Sequence, residues 1–181
     1  MAAKCVIDGV HIVPMGFANA FLIEGDDGLT AESGGPLRPM TPAPGLLGQV
    51  LCRLFFDPEE RLEPVAIDQP LTAGDTLPIA GGIEVIHAPG HCAGQVALLW
   101  HPGRMLFAAD VCMNLMGLAD PVGFENLEEG RASQRKLANL SFDAAGFGHG
   151  KPIARDASAW FRNRWGNESS ASRATTLRPA A

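Results

Sequence analysis

The sequence predicts a mixed α/β domain, and three observations carry that prediction. Two apolar runs, QVALLW (95–100) and RMLFAAD (104–110), flank the turn HPG and read as adjacent strands. LLGQVLCRLFF sets Leu46, Leu47, Val50, Leu51, Leu54 and Phe55 at i, i+1, i+4, i+5, i+8 and i+9, an amphipathic helical stripe. NLEEGRASQRKLANL (126–140) and ARDASAWFRNRW (154–165) read as two more helices, interleaved with short apolar strands.

In chain order, GVHIVPMGFANAFLIEGDDGLTAES predicts antiparallel strands near 10–13, 19–24 and 29–32, with GDDG as a hairpin turn. SGGPLRPMTPAPG (33–45) holds four prolines and three glycines and reads as loop, since proline cannot donate to a central ladder or sit inside a helix. The amphipathic helix follows and ends at DPEE. A short strand or turn at 75–79, a GG turn and a strand at 83–87 precede the two apolar strands. After the helix at 126–140, FDAAGFGHG (142–150) reads as a short strand ending in a glycine-flanked histidine. The last helix is expected to turn Ala157, Trp160, Phe161 and Arg164 or Trp165 inward. Residues 1–166 are expected to form one domain, and the small, polar tail 167–181 to be disordered.

Composition bounds the function classes. The chain has 181 residues, 46% hydrophobic and 19% charged, which is enough for one globular core. A net charge of −6 with no Lys/Arg cluster argues against nucleic-acid binding and against an anionic membrane surface. No run of about 18 apolar residues exists. The N-terminus MAAKCVIDGVHIVP has no long apolar run to read as a secretory signal, so a cytoplasmic location is expected. Four cysteines (Cys5, Cys52, Cys92, Cys112) without a CxxC pair are expected to be reduced, small buried hydrophobes.

Three loops carry candidate metal ligands, each just past a strand: PGHC (His91), AADV (Asp110) and FGHG (His149). Strand ends are where α/β folds gather their chemistry. Glycine beside each histidine lets backbone approach a bound group. Two imidazoles and a carboxylate are the ligand count of an open zinc site.

These segments resemble the metallo-β-lactamase superfamily. HAPGHCAGQVALLW followed by RMLFAAD is similar to that family's PGHTPG, apolar strand and strand ending in GD. FDAAGFGHGKPI is similar to its late strand ending in GHG, and HIVPMGFANAFLIEGDDGLTAESGG to its N-terminal hairpin, with Glu32, Ser33 and Gly34 near the usual DTG. The resemblance runs from about residue 6 to 35 and from about 45 to 165. It implies an αββα sandwich and a hydrolase of esters, thioesters, lactones or lactams that uses one or two metals, often zinc. By carry-over, His91 serves the first metal, His149 the second, and Asp110 bridges them.

The family's first ligand cluster, HxHxDH, is absent. The histidines are His11, His87, His91, His101 and His149, and no two are separated by one residue. Where the cluster belongs, only GGPLRPMTPAPG stands, as though a strand–helix–strand stretch were missing near 34–45 and the fold shortened in its N-terminal half. Three of seven family positions remain, and the general-base aspartate is not among them. At most one weakly bound zinc and weak hydrolysis are expected, the alternative being a non-catalytic scaffold that self-associates. The missing strand and helix would leave an open edge and an uncovered apolar face, so a homodimer or higher homo-oligomer is expected, through the N-terminal sheet or the 46–56 helix. A small-molecule substrate is the partner expected of the active form. Four residues are secondary candidates: His87 and Cys92 beside the His91 loop, Lys151 as an attractor of an anionic substrate, and Glu32 at the DTG-like turn. His87 also reads as a satisfied core histidine, and His11 and His101 as structural or exposed.

Overall fold

The computed structural model describes residues 4–8, 10–15, 18–23, 40–55 and 72–166. The GDDG turn, the strand expected at 29–32, Glu32, most of the 33–45 loop and the tail 167–181 lie outside the described residues.

A three-stranded antiparallel sheet, β1 (Lys4–Ile7), β2 (Val10–Met15) and β3 (Ala18–Ile23), opens the chain. β4 (Thr41–Pro42) pairs with β11 (Gly123–Phe124), so the expected loop holds a two-residue strand at its end. Proline is tolerated there because the pair is a two-stranded edge and not a central ladder. α1 (Leu46–Phe55) follows where the apolar stripe predicts it. A five-stranded sheet then runs in the order β12-β8-β7-β6-β5, formed by β5 (Thr76–Leu77), β6 (Ile83–His87), β7 (Val96–Trp100), β8 (Met105–Phe107) and β12 (Ala144–Gly146). The remaining elements are the hairpin β9 (Met113–Asn114) and β10 (Leu118–Ala119), α2 (Leu127–Ala138), α3 (Ala157–Phe161) and a π-helical turn at Arg162–Gly166.

Side-chain alternation assigns each face of the five-stranded sheet. Ile86, Ala97, Leu99, Leu106 and Ala145 point to one side and pack against Leu137 and Ala138 of α2, Ala157 and Phe161 of α3, and Trp165. Ile83, Trp100, Met105, Phe107 and Ala144 point to the other side and bury Val10 of β2. Among the described residues the result is an α/β layering of helices, sheet and sheet, as in three of the layers of an αββα sandwich. Strands apolar on both faces are what a central layer requires.

The expected strands at 104–110 and 142–150 shorten to three residues each, because the chain leaves the sheet to form the site loops. The last helix also departs from expectation. Ala157, Phe161 and Trp165 face inward at a spacing of four, whereas Trp160 is 51% exposed and Arg164 is exposed. The i→i+5 turn at 162–166 carries Trp165 onto the inward line that an ideal 3.6-residue period would leave. α2 starts at Asn126, whose side chain accepts the N–H groups of Glu128 and Glu129, a standard N-cap.

Among the four cysteines, Cys52 and Cys112 are buried, Cys92 is half-buried and Cys5 is exposed. The buried-hydrophobe expectation therefore fails at Cys5 and Cys92, which sit in the first strand and in a site loop.

Candidate functional site

Sheet direction gathers the site. β8 and β12 are neighbours and parallel, with Phe107 paired to Gly146. Asp110 and His149 each lie three residues beyond that pair, so equal loop lengths deliver them to the same end of the sheet. The parallel connection is made through α2, the usual crossover for adjacent parallel strands. The Nε2 atom of His149 stands 3.4 Å from Oδ1 of Asp110. That carboxylate oxygen is buried and, beyond this ion pair, has no hydrogen-bond partner among the described residues. Gly148 leaves room for it, since a Cβ there would lie 2.3 Å from the same oxygen and would displace the Asp110 carboxylate.

His91 arrives at the same end by another route. β6 is antiparallel to β7, and β7 to β8, so β6 runs parallel to β8 and delivers the 88–95 loop to the same edge. β7 stands between them, which separates the origins of the two loops by two strand spacings, roughly 10 Å. Among the described residues, no group of three His, Cys, Asp or Glu side chains lies close enough to hold a metal ion. Asp110 and His149 are thus brought together, while His91 stands at the same end outside their cluster.

The His91 loop is braced against the start of α2. The His91 ring Nδ1 lies 2.9 Å from the Gly123 carbonyl oxygen, so Nδ1 carries the proton and donates. Nε2 is left with its lone pair, the tautomer of a metal-ligating histidine oriented by a backbone carbonyl. Asn126 N–H donates to the Gly90 carbonyl, Glu125 N–H to the His91 carbonyl, and the Ser133 hydroxyl to the Pro89 carbonyl. A Glu125 carboxylate oxygen accepts from Ala93 N–H at 2.7 Å.

The secondary candidates take varied positions. His87 is exposed and not a core histidine, because it ends β6 on the solvent side; its Nε2 donates to the Ala93 carbonyl at 3.1 Å, spanning the loop that carries His91. Cys92 is half-buried with its thiol 3.9 Å from the Gln95 side-chain oxygen. Lys151 is exposed, and its backbone is stitched to β9 in both directions: its N–H donates to the Asn114 carbonyl, and the Asn114 amide donates to its carbonyl. His101 is exposed and pairs with Glu84 at 3.1 Å. The side chain of His11 lies outside the described residues.

Sequence reasoning missed Asp120, Arg131 and Gln134 behind the site. Arg131 grips Asp120 through both terminal nitrogens, at 2.5 and 2.7 Å, and donates to Gln134 at 3.0 Å. Gln134 is fully buried and donates to the Val111 carbonyl and to Asp120. This network pins the chain just after Asp110. Cys112 is fully buried, and burial, then the charges of Asp110 and Asp120, push its thiol well above the ordinary range. A thiol held protonated is a poor metal ligand. The one available signal was the helical i, i+3 spacing of Arg131 and Gln134, which puts both on one face. Replacing Asp120 with Ala strands a mostly buried guanidinium and is expected to cost on the order of 2–3 kcal/mol. Urea denaturation checks this, and a loss below about 0.5 kcal/mol would mean solvent already satisfies Arg131.

No protein-family model matches this sequence, and a search of curated proteins gives no match. Solved structures do match. One is a metallo-beta-lactamase family protein from Thermus thermophilus, 26% identical, covering 72% of this chain and 48% of that one, at a TM-score of 0.48. Another is an archaeal metallo-beta-lactamase superfamily protein from Sulfolobus tokodaii, 14% identical, covering 73% and 50%, at a TM-score of 0.45. A third, solved in a di-iron-bound form, is 27% identical and covers 58% and 50%, at a TM-score of 0.40. The chain spans about half the length of these structures. Among the described residues, no helix is long and apolar enough to cross a membrane.

Proposed function

We propose that this chain is a metal-dependent hydrolase of the metallo-β-lactamase type, acting weakly on an ester, thioester, lactone or lactam through a reduced metal site. The supporting observation is the buried, unpartnered Asp110 oxygen 3.4 Å from the His149 ring, at the joint end of two parallel strands. A buried carboxylate oxygen without a donor costs about 1–3 kcal/mol or more, and a cation removes that cost. Asp110 and His149 are the pair that would hold the ion, joined by the Nε2 of His91 only if the 88–95 loop moves toward them, and a carboxylate with imidazoles is a donor set that zinc accepts. A bound metal supplies Lewis-acid polarisation and a more acidic water.

The chain's own residues do the rest. Gly123 and His87 fix the His91 loop, and Gly148 leaves the room that the Asp110 carboxylate occupies. Lys151 adds positive charge at the rim and favours an anionic substrate. With only one wall of a site present among the described residues, the ion is held by few protein donors and its affinity is low.

Protein purified without chelator is expected to carry at most one zinc per chain and to cleave p-nitrophenyl esters slowly, with chelation removing both metal and turnover. Two zinc ions per chain that survive dialysis against chelator would overturn this reading.

A specific feature favours the second reading, a self-associating scaffold. Leu46, Val50 and Leu54 of α1 are 78%, 45% and 69% exposed, and they form one stripe at i, i+4 and i+8. Light scattering that finds only monomer at micromolar concentration would remove it.

A further inference from the structure

Away from the Asp110–His149 pair, Leu118 of the β9–β10 hairpin and the last helical turns border a shallow, open cleft of about 300 Å³ lined by Leu118, Trp160, Asn163 and Arg164. We propose that this cleft binds the aliphatic chain and terminal carboxylate of an anionic amphiphile, and that it is the acyl subsite of the hydrolase. Its use as a subsite rests on the hydrolase reading; the binding itself does not.

Three features point to that ligand. Leu118 and Trp160 give the cleft its apolar wall, and Trp160 is 51% exposed although its indole is the kind of group a protein ordinarily buries. Arg164 supplies a net positive charge at the polar edge. Its guanidinium is 4.0 Å from Asp120, but that carboxylate is already held at 2.5 and 2.7 Å by Arg131. Two guanidiniums share one carboxylate, so one positive charge is left over, on the more exposed partner. A carboxylate is the natural counterpart of a guanidinium, with the Asn163 amide beside it as a further donor.

The third feature is reach. Leu118 is paired with Asn114, and Asn114 is bridged on its other side to Gly150, the residue after His149. Two strand spacings of about 4.8 Å put the cleft roughly 10 Å from the 149–151 loop. A substrate whose scissile carbonyl sits at Asp110 and His149 therefore lays a medium-length chain across β9 and β10 into the cleft. The exposed tip of that hairpin, Leu115 and Met116 at 53% and 91% exposure, continues the apolar track.

The test uses octanoate, with octanol as its uncharged counterpart, and reads tryptophan fluorescence. Trp100 and Trp165 are 8% and 0% exposed, so Trp160 is the tryptophan that reports on a ligand. Octanoate is expected to shift the emission to the blue saturably and to bind at least about fivefold tighter than octanol. Arg164→Gln, an exposed substitution that leaves the Arg131–Asp120 pair in place, is expected to abolish that preference, and Trp160→Phe to remove the signal. No saturable response, or a preference that Arg164→Gln leaves intact, overturns the proposal. Rates on the mono-p-nitrophenyl ester of octanedioic acid, whose acyl chain ends in a carboxylate, and on p-nitrophenyl acetate separate the two readings. Octanoate binding with neither ester cleaved retains the cleft and removes the hydrolase. Cleavage of both esters at equal kcat/KM retains the hydrolase and overturns the acyl subsite.

Discussion

Gly90→Ala is expected to destabilise the protein by about 3 kcal/mol or more, the largest stability loss of any single methyl group added in the His91 loop. Gly90 has a φ of +134°, a region that L-residues with a Cβ rarely adopt. A Cβ there would also lie 2.2 Å from both Cα and N of Gly130 in the second turn of α2. That obstacle is backbone, so no rotamer change relieves it. Strain at such a φ costs about 1–3 kcal/mol, and overpacking adds about 1–3 more. α2 cannot retreat, because Gly130 already lies against the Phe124 ring on its other side and Asn126 N–H is bonded to the Gly90 carbonyl. For a chain of this size the loss corresponds to a fall in Tm of ~10 °C. Gly94→Ala in the same loop is the control: nothing lies within 4 Å of its Cβ and its φ is ordinary, so it is expected to be neutral within about 0.5 kcal/mol. Thermal melts of the two variants check the pair. Equal melting temperatures would show that the loop does not pack on α2 as described.

That contact also shows what a single sequence can and cannot disclose. The strands at 83–87, 96–100 and 105–107 and the helices at 46–55 and 127–138 were legible because apolar periodicity is a local property. The ligand loops were legible because each follows a strand and carries glycine beside histidine. The meeting of Asp110 with His149 and the isolation of His91 depend on strand order, with β7 inserted between β6 and β8. Strand order is set by long-range pairing, and no window of sequence displays it. The Asp120–Arg131–Gln134 network was missed for a related reason. Charged residues on a polar-faced helix ordinarily face solvent, and here Asp120, just after β10, meets Arg131 and Gln134 across a separation of more than ten residues. His87 was misjudged because burial at a strand end depends on which face the neighbouring layer covers, and at that position none does.

The second large effect concerns the metal. His91, Asp110 and His149 are expected to act as one unit, so that Ala at any of them abolishes zinc binding. Asp110 contributes the buried oxygen that has no other partner, and His149 the imidazole 3.4 Å from it. His91 contributes an Nε2 whose lone pair is already committed outward by the Nδ1 bond to Gly123. Zinc takes nitrogen ligands at about 2.0–2.1 Å, so the 88–95 loop must close toward Asp110 for one ion to engage all three. Closing it strains or breaks the hydrogen bonds that brace the loop on Glu125, Asn126 and Ser133, about 0.5–1.5 kcal/mol each, which is why the affinity is low and why losing a single donor is not survivable. The readout is thermal stability against added zinc. A ligand at about a hundred times its Kd stabilises the folded state by about 2.7 kcal/mol. The unsubstituted chain is expected to gain stability on this scale and the three variants none, with metal-free melting temperatures little changed for His91→Ala and His149→Ala and raised for Asp110→Ala, which removes the buried oxygen that has no hydrogen bond. Zinc-dependent stabilisation that survives His91→Ala would place the ion on Asp110 and His149 alone, and would remove His91 from the site.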